Sequence, residues 1–260
     1  MSNAAVADQV YVLARRSVVR TARQPANVVM PIVFPLLLLA VNVGGLEAAT
    51  SLPGFPTDSI LTFLLAVPFI QGALFATMNA GTDLARDIQT GFLGRLSLTP
   101  MRSVALLAGQ LGGVVTVGLV QATVYLVVGL LAGVEIASGP AGVLVLYALA
   151  VLVFLGFGAL GVLVALRTGS GEAVQGFFPV FFVFLFISSM AIPRDLMTVA
   201  WFRVAATANP VSYLIEAVRS LFVTGWDGQA LALGFGIAAV IAVAALALAS
   251  HALRARMARA

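Results

Sequence analysis

Six long apolar runs, at about 26–46, 59–82, 104–133, 141–166, 173–192 and 229–251, leave this chain little choice of fold. Each reaches or exceeds the roughly 20 residues that a helix rising 1.5 Å per residue needs to cross about 30 Å of hydrocarbon. Soluble domains carry charge on roughly a quarter of their residues; here 9% are charged and 61% hydrophobic. Lipid offers no partner to a free peptide group, and the runs are unbroken rather than alternating over ten-residue strands, so the spanning elements are expected to be helices. The expected fold class is all-α, a polytopic membrane protein with six transmembrane helices over 26–260.

All fourteen basic residues other than His251 are arginine. Six crossings put both ends on one side, and if that side is the cytoplasm the inner segments hold Arg15, Arg16, Arg20, Arg23, Arg86, Arg95, Arg102, Arg167, Arg254, Arg256 and Arg259. The outer segments then hold only Arg194, Arg203 and Arg219. This split fixes the expected orientation, because basic residues are retained on the cytoplasmic side and acidic ones count for little. A net charge of +4 could point to nucleic acid, but a basic patch needs a solvated face, and these arginines flank membrane-length runs. With no cysteine there is no disulfide framework, thiolate metal site or cysteine nucleophile.

Residues 1–25 form a basic lead-in. At 100° per residue Gln9, Arg16, Arg20 and Arg23 share one face and Ala7, Tyr11, Ala14 and Val18 the other, with Leu13 misplaced on the basic side. The reading is an interfacial amphipathic helix on the inner leaflet. Arg15-Arg16 lacks the flanking pattern of a twin-arginine signal, and the next run is long enough to span, so no cleavage is expected.

Motifs of soluble chemistry fail on context. Gly156-Phe157-Gly158-Ala159-Leu160-Gly161 matches the dinucleotide pattern but lies inside an apolar run, where its glycines instead let a neighbouring helix approach, as do Gly109 with Gly113 and Gly129 with Gly133. A phosphate-binding P-loop needs a lysine, and there is none. The single histidine is an interfacial flank, and no catalytic, cofactor or metal site is expected. Pro31, Pro35, Pro68 and Pro179 interrupt runs one, two and five, as kinks whose freed carbonyls neighbouring helices satisfy. All carboxylates fall in loops or at run ends, which argues against an ion-coupled carrier. Uncharged polar residues within the runs, Asn42, Gln71, Asn79, Gln121 and Gln175, serve either helix-to-helix hydrogen bonds or the lining of a transit path.

Two connections carry most information. The inner segment 83–102 has turn signals at Gly91, Gly94 and Pro100, and between them Phe92 and Leu96 make an apolar edge with Arg95 alongside, a short helix suited to docking in a partner's groove. The outer segment 193–228 is too long for an unstructured link. Asn209-Pro210 starts a helix that Gly225 stops, with a stripe of Val211, Leu214, Ile215, Val218, Leu221 and Phe222 and a Glu216–Arg219 pair. A second short helix is expected from Asp195 to Ala206, making a hairpin that dips into the outer leaflet without crossing.

Taken together, the basic lead-in, the six runs, the Thr90-Gly91, Arg95-Leu96 and Thr99-Pro100 elements, and Asn209-Pro210-Val211-Ser212-Tyr213 followed by Glu216-Ala217-Val218-Arg219 resemble the membrane-spanning subunits of type 2 ABC exporters, and among them the daunorubicin-resistance-like permeases of bacteria. The resemblance implies a multi-pass protein of the bacterial inner membrane with both termini cytoplasmic, which moves hydrophobic or amphipathic compounds outward. It implies that Thr90, Gly91, Phe92, Arg95, Leu96, Thr99 and Pro100 seat on a separate ATPase, that two such ATPase subunits bind ATP and magnesium, and that a second permease chain, identical or homologous, completes the complex. It assigns Asn209, Pro210, Tyr213, Glu216 and Arg219 to a hairpin closing the external end, and leaves Asn42, Gln71, Asn79 and Gln175 as candidates for the path. The rival reading is an enzyme acting on lipid headgroups, with Asp83 and Asp87 at i,i+4 sharing a divalent cation.

Overall fold

The computed structural model describes residues 3–97 and 103–257, and among these every regular element is helical. Helix α1 spans Asn3–Ala22, α2 Pro25–Leu46, α3 Ile60–Leu64, α4 Ala66–Gln89, α5 Phe92–Ser97, α6 Ser103–Leu131, α7 Gly139–Thr168, α8 Gly171–Gly176, α9 Phe178–Phe186, α10 Ala200–Ala208, α11 Pro210–Val223 and α12 Gly228–Met257. Five stretches are long and apolar enough to cross a membrane: Pro25–Ser51, Ile60–Gln89, Val104–Leu131, Gly139–Thr168 and Gly228–Met257.

The run read as a fifth span is shorter and broken. It forms α8 and α9, together Gly171–Phe186, interrupted at Phe177. Pro179 causes the interruption, since it cannot donate to the Gln175 carbonyl one turn back and its ring crowds that position. Pro68 acts in the same way on the second stretch, which breaks at Leu65 between α3 and α4.

The prolines of α2 leave its helix unbroken, because their freed carbonyls are bonded from outside. A proline frees the carbonyl four residues earlier. For Pro31 that is Asn27, whose oxygen accepts from Asn79 Nδ2 of α4 at 3.2 Å. For Pro35 it is Pro31, whose oxygen accepts from the Tyr125 hydroxyl of α6. Asn79 and the buried Tyr125 thus do the repair expected of neighbouring helices.

Helix α4 sits at the centre, with Phe69, Ile70, Ala73 and Leu74 buried against α7 and α6. The glycines of α7 make this possible. A β-carbon at Gly161 would lie 1.9 Å from the Thr77 carbonyl oxygen of α4, one at Gly156 3.1 Å from the Ala242 nitrogen of α12, and one at Gly158 2.9 Å from Val114 of α6. The false dinucleotide motif is therefore a three-sided contact seam. Gly109 and Gly113 admit α1 in the same manner, against Leu13 and Ser17. That explains Leu13: the basic side of α1 faces protein, so an apolar residue belongs there, while Tyr11 and Val12 are exposed. Of the pair at 129 and 133 only Gly129 admits a neighbour, Leu65; Gly133 has nothing within 4 Å of a β-carbon and instead takes a left-handed φ of +89° just beyond α6.

The bundle has two distinct ends. At one, Gln89 of α4 donates to the Gly169 carbonyl beyond α7 at 3.2 Å, and Arg256 of α12 donates to the Leu166 carbonyl at 2.7 Å. Helix α5 and the arginines of α1 lie there too. At the other end, Ser138 before α7 donates to the Leu221 carbonyl of α11 at 2.9 Å, and Arg219 of α11 reaches the Phe63 carbonyl ahead of α4. The chain between Gly169 and Met190 therefore passes from the α5 end to the hairpin end, and both α1 and the last turn of α12 lie at the α5 end.

Candidate functional site

Helix α4 does not stop at the apolar boundary near residue 82. It continues to Gln89, so Asp83 and Asp87 belong to a buried helix and not to a loop. The reason is neutralisation. Arg16 of α1 donates from both terminal nitrogens to the two Asp87 oxygens at 2.9 Å each, a bidentate fork, and Arg20 pairs with Asp87 as well as with Asp83 at 3.3 Å. Arg20 also donates to the Asp83 carbonyl at 3.1 Å. Burial disfavours the Arg20 charge, but the Asp83 and Asp87 carboxylates outweigh it and hold its pKa above the ordinary value. Two residues four apart on α1 thus meet two residues four apart on α4, a spacing match visible in the sequence once the two helices are placed side by side. Both carboxylates that the rival reading gives to a shared cation are engaged by guanidinium groups.

Thr90 ends α4. Its N–H donates to the Arg86 and Ile88 carbonyls and its hydroxyl to the Arg86 carbonyl at 2.9 Å. Gly91 then takes φ +69°, a left-handed turn that costs a side-chain-bearing residue energy, and the chain reverses into α5. Helix α5 is anchored by Leu93, which is buried, and by Phe92, whose ring lies under the Arg16 guanidinium at 3.9 Å. Arg16 therefore holds α4 and the first residue of α5 at once. Gln89, Thr90, Gly91 and Arg95 remain exposed. Leu96 lies in α5, and Thr99 and Pro100 fall outside the described residues. Arg16, Arg20 and Leu93 belong to this cluster although the sequence marks none of them for docking.

At the hairpin end, the Asn209 carboxamide is the organising group. Its Oδ1 caps α11 by accepting from Val211 N–H at 2.9 Å, and its Nδ2 donates to the Phe184 and Ile187 carbonyls at 2.5 and 2.6 Å, tying the hairpin to the end of α9. Pro210 occupies the first helical turn. The apolar stripe of α11 is buried as expected, and Tyr213 donates to the Thr207 carbonyl at 2.8 Å. The preceding helix, α10, begins at Ala200 and not at Asp195, where a single 3-10 turn forms.

The expected Glu216–Arg219 pair does not form. Glu216 is taken by Arg194, at 2.6 Å, whose guanidinium also lies 4.3 Å from the centre of the Tyr213 ring. Arg219 turns inward, donating from Nε to the Phe63 carbonyl and from Nη2 to the Met190 carbonyl, each at 2.9 Å, with its guanidinium 3.5 Å from the centre of the Phe63 ring. Three residues apart permits contact between two side chains, but the carbonyls left by the α3–α4 break and the turn after α9 offer Arg219 a better-defined site.

The candidate path residues are dispersed. Asn42 donates to Leu38 of its own helix at 2.7 Å and Asn79 caps the proline-freed Asn27 carbonyl. Gln71 is buried and Gln175 exposed.

The sequence matches the ABC-2 type transporter family over residues 8–223. It is 32% identical over 222 residues to the daunorubicin resistance ABC transporter permease protein DrrB1 of Streptomyces coeruleorubidus, covering 83% of this chain and 75% of that one. It is 26% identical over 220 residues to the probable doxorubicin resistance ABC transporter permease protein DrrC of Mycobacterium tuberculosis, covering 84% and 78%. A putative transport permease, ycf38, of Cyanophora paradoxa is 23% identical over 216 residues, covering 82% and 74%.

Proposed function

This chain belongs to the ABC-2 type transporter family, and from that premise we propose that it is the membrane-spanning subunit of an ATP-driven exporter whose ATPase seats on α5 and the turn before it. The chain crosses six times with both ends in the cytoplasm: the five long stretches are joined by the 170–190 segment, and the passage of that segment from Gly169 to Met190 supports the count. Residues 193–228 form a re-entrant hairpin on the outer side. Its depth is supported by Gly234, where a β-carbon would lie 2.2 Å from Ala217 of α11, because Gly234 is about 9 Å along α12 at 1.5 Å per residue.

The observation that carries the docking assignment is Arg16. It bonds Asp87 and covers Phe92, so α1, α4 and α5 form one braced unit at the cytoplasmic end, while Gln89, Thr90, Gly91 and Arg95 stay exposed. Force applied to α5 by an ATPase is thereby delivered to α4, the helix at the centre of the bundle. ATP and magnesium are bound by two ATPase subunits, and a second permease chain, identical or homologous, completes the transporter. ATP biases the permease only through a difference in affinity between its states. The drug-resistance names of the relatives and the apolar character of the chain favour hydrophobic or amphipathic cargo, a drug, lipid or glycolipid.

The test is reconstitution with the cognate ATPase and replacement of Phe92 or Arg95 by alanine. Substrate-stimulated ATP hydrolysis is expected to fall by roughly tenfold, the equivalent of about 1.4 kcal/mol at the docking contact. Unchanged stimulation in an intact complex would overturn the docking assignment.

A further inference from the structure

We propose that the pocket at the hairpin end is a binding site for the anionic head of an amphipathic molecule, with a phosphate-type group received by Arg219 at its floor and Arg203 at its rim. This deepens the exporter reading and rests on it only for which side of the membrane the hairpin faces.

The pocket encloses about 440 Å³ and is lined by six charged residues, Arg194, Asp195, Arg203, Glu216, Arg219 and Asp227. Three are already committed. Arg194 and Glu216 pair with each other at 2.6 Å, and Asp227 accepts from the Gln229 and Ala230 N–H groups at 3.0 Å each, capping α12. The six charges balance, and among the described residues the two arginines of the lining that pair with no carboxylate are Arg203 and Arg219.

Arg219 is the decisive member. It is 6% exposed and, among the described residues, forms no ion pair. Its two hydrogen bonds engage Nε and Nη2 with carbonyl oxygens, leaving Nη1 free of any among those residues. Buried guanidinium groups are almost always given a carboxylate, because an uncompensated buried charge is costly. Here the nearest acid, Glu216 on the same helix, is turned away to Arg194. A cation held rigidly by carbonyls and a ring, with Glu216 acting on it only from beyond ion-pair distance, at the floor of an open pocket is a site that takes its contacting anion from outside. Guanidinium geometry suits a phosphate-type oxyanion.

The surroundings say what carries that anion. The volume lies within the range of small-ligand sites and accommodates a head group, not a whole amphipath. Helix α10 forms one wall and has two faces. Arg203 and Thr207, four apart, line the pocket, while Trp201 and Val204, three apart, are 67% and 68% exposed on the outside. An aromatic and an aliphatic residue beside a charged cleft fit the boundary between head groups and hydrocarbon, where the tail of a bound amphipath lies.

The test uses the whole chain purified in a neutral maltoside detergent. Its only two tryptophans, Trp201 and Trp226, both belong to residues 193–228, so selectively excited tryptophan fluorescence reads this region alone. Titration with dihexanoyl phosphatidylglycerol is expected to give a saturable change, and the uncharged dihexanoylglycerol none. Arg203→Gln is expected to weaken the saturable binding roughly tenfold, the loss of one charged hydrogen bond. Arg219→Gln is expected to abolish it, but Arg219 also holds two carbonyls, so Arg203→Gln is the variant that decides. Inorganic phosphate is expected to compete at higher concentration; phosphate saturating the site as tightly as the lipid would keep the anion site and assign it to a free anion. Equal binding of the charged and uncharged lipids, or an unchanged affinity in Arg203→Gln, would overturn the proposal. The titration needs neither ATPase nor transport, so its failure leaves the exporter reading standing, and failure of docking at α5 leaves the titration untouched.

Discussion

The two ends of the bundle treat arginine in opposite ways. At the α5 end Arg16 and Arg20 meet Asp87 and Asp83, so each cation faces an anion and the cluster fastens α1 to α4. At the hairpin end Arg219 is buried more deeply, yet it is satisfied by two carbonyls and one ring. Paired charge brings directional strength and closes the site to other ligands, whereas carbonyl-bound charge fixes a side chain and keeps its field available. The same residue type is thus a fastener at one end and a receptor at the other.

If that contrast is right, the costliest single change is loss of the anion that two arginines share. Asp87→Ala is expected to destabilise the chain by about 3 kcal/mol, since it leaves Arg16 without its carboxylate and Arg20 with Asp83 alone. The melting temperature in detergent should drop, and proteolysis should begin within α1. A melting temperature unchanged from the parent would mean that the cluster fastens nothing.

Asn209→Ala should act at the other end and less strongly. Removing a helix cap costs about 1 kcal/mol, and the Phe184 and Ile187 carbonyls lose their donor as well, for a total of about 2 kcal/mol. Hydrogen exchange should accelerate in α10 and α11 while α1, α4 and α5 keep their protection. Uniform acceleration through both ends would erase the distinction between them. The smallest effect is expected from Arg194→Ala, which breaks a partly exposed ion pair worth below about 1 kcal/mol, and that difference should shrink as salt is raised. A larger, salt-independent loss would show that Arg194, and not the carbonyl cage of Arg219, holds the hairpin.

These contrasts also mark what could be read without coordinates. Run length, arginine placement and the Asn209-Pro210 start are local signals, and the helices appear where those signals stand. The proline repair was legible in kind, but not in its agents, since nothing in the sequence ties Asn79 to Asn27 or Tyr125 to Pro31. Leu13 looked like a flaw because the basic face of α1 was taken to meet lipid head groups; it meets Gly109 and the α4 aspartates. Glu216 and Arg219 were paired by spacing, a rule for isolated helices that fails when tertiary partners compete for each side chain. The fifth run was apolar enough in composition, but Pro179 splits it into two short helices. In each case the missing information was which surface lay opposite.

The central claim is that α5 lies on the cytoplasmic face and is covered by an ATPase, with the hairpin on the far side. The chain has no cysteine, so Arg95→Cys and Glu216→Cys each introduce a unique thiol. Labelling with a membrane-impermeant maleimide in sealed vesicles of known orientation tests the claim directly. The account predicts that the thiol at position 95 reacts only from the cytoplasmic side and is protected once the ATPase binds, while the thiol at 216 reacts only from the opposite side. Reaction of both thiols from one side, or no protection of position 95 by bound ATPase, would contradict it.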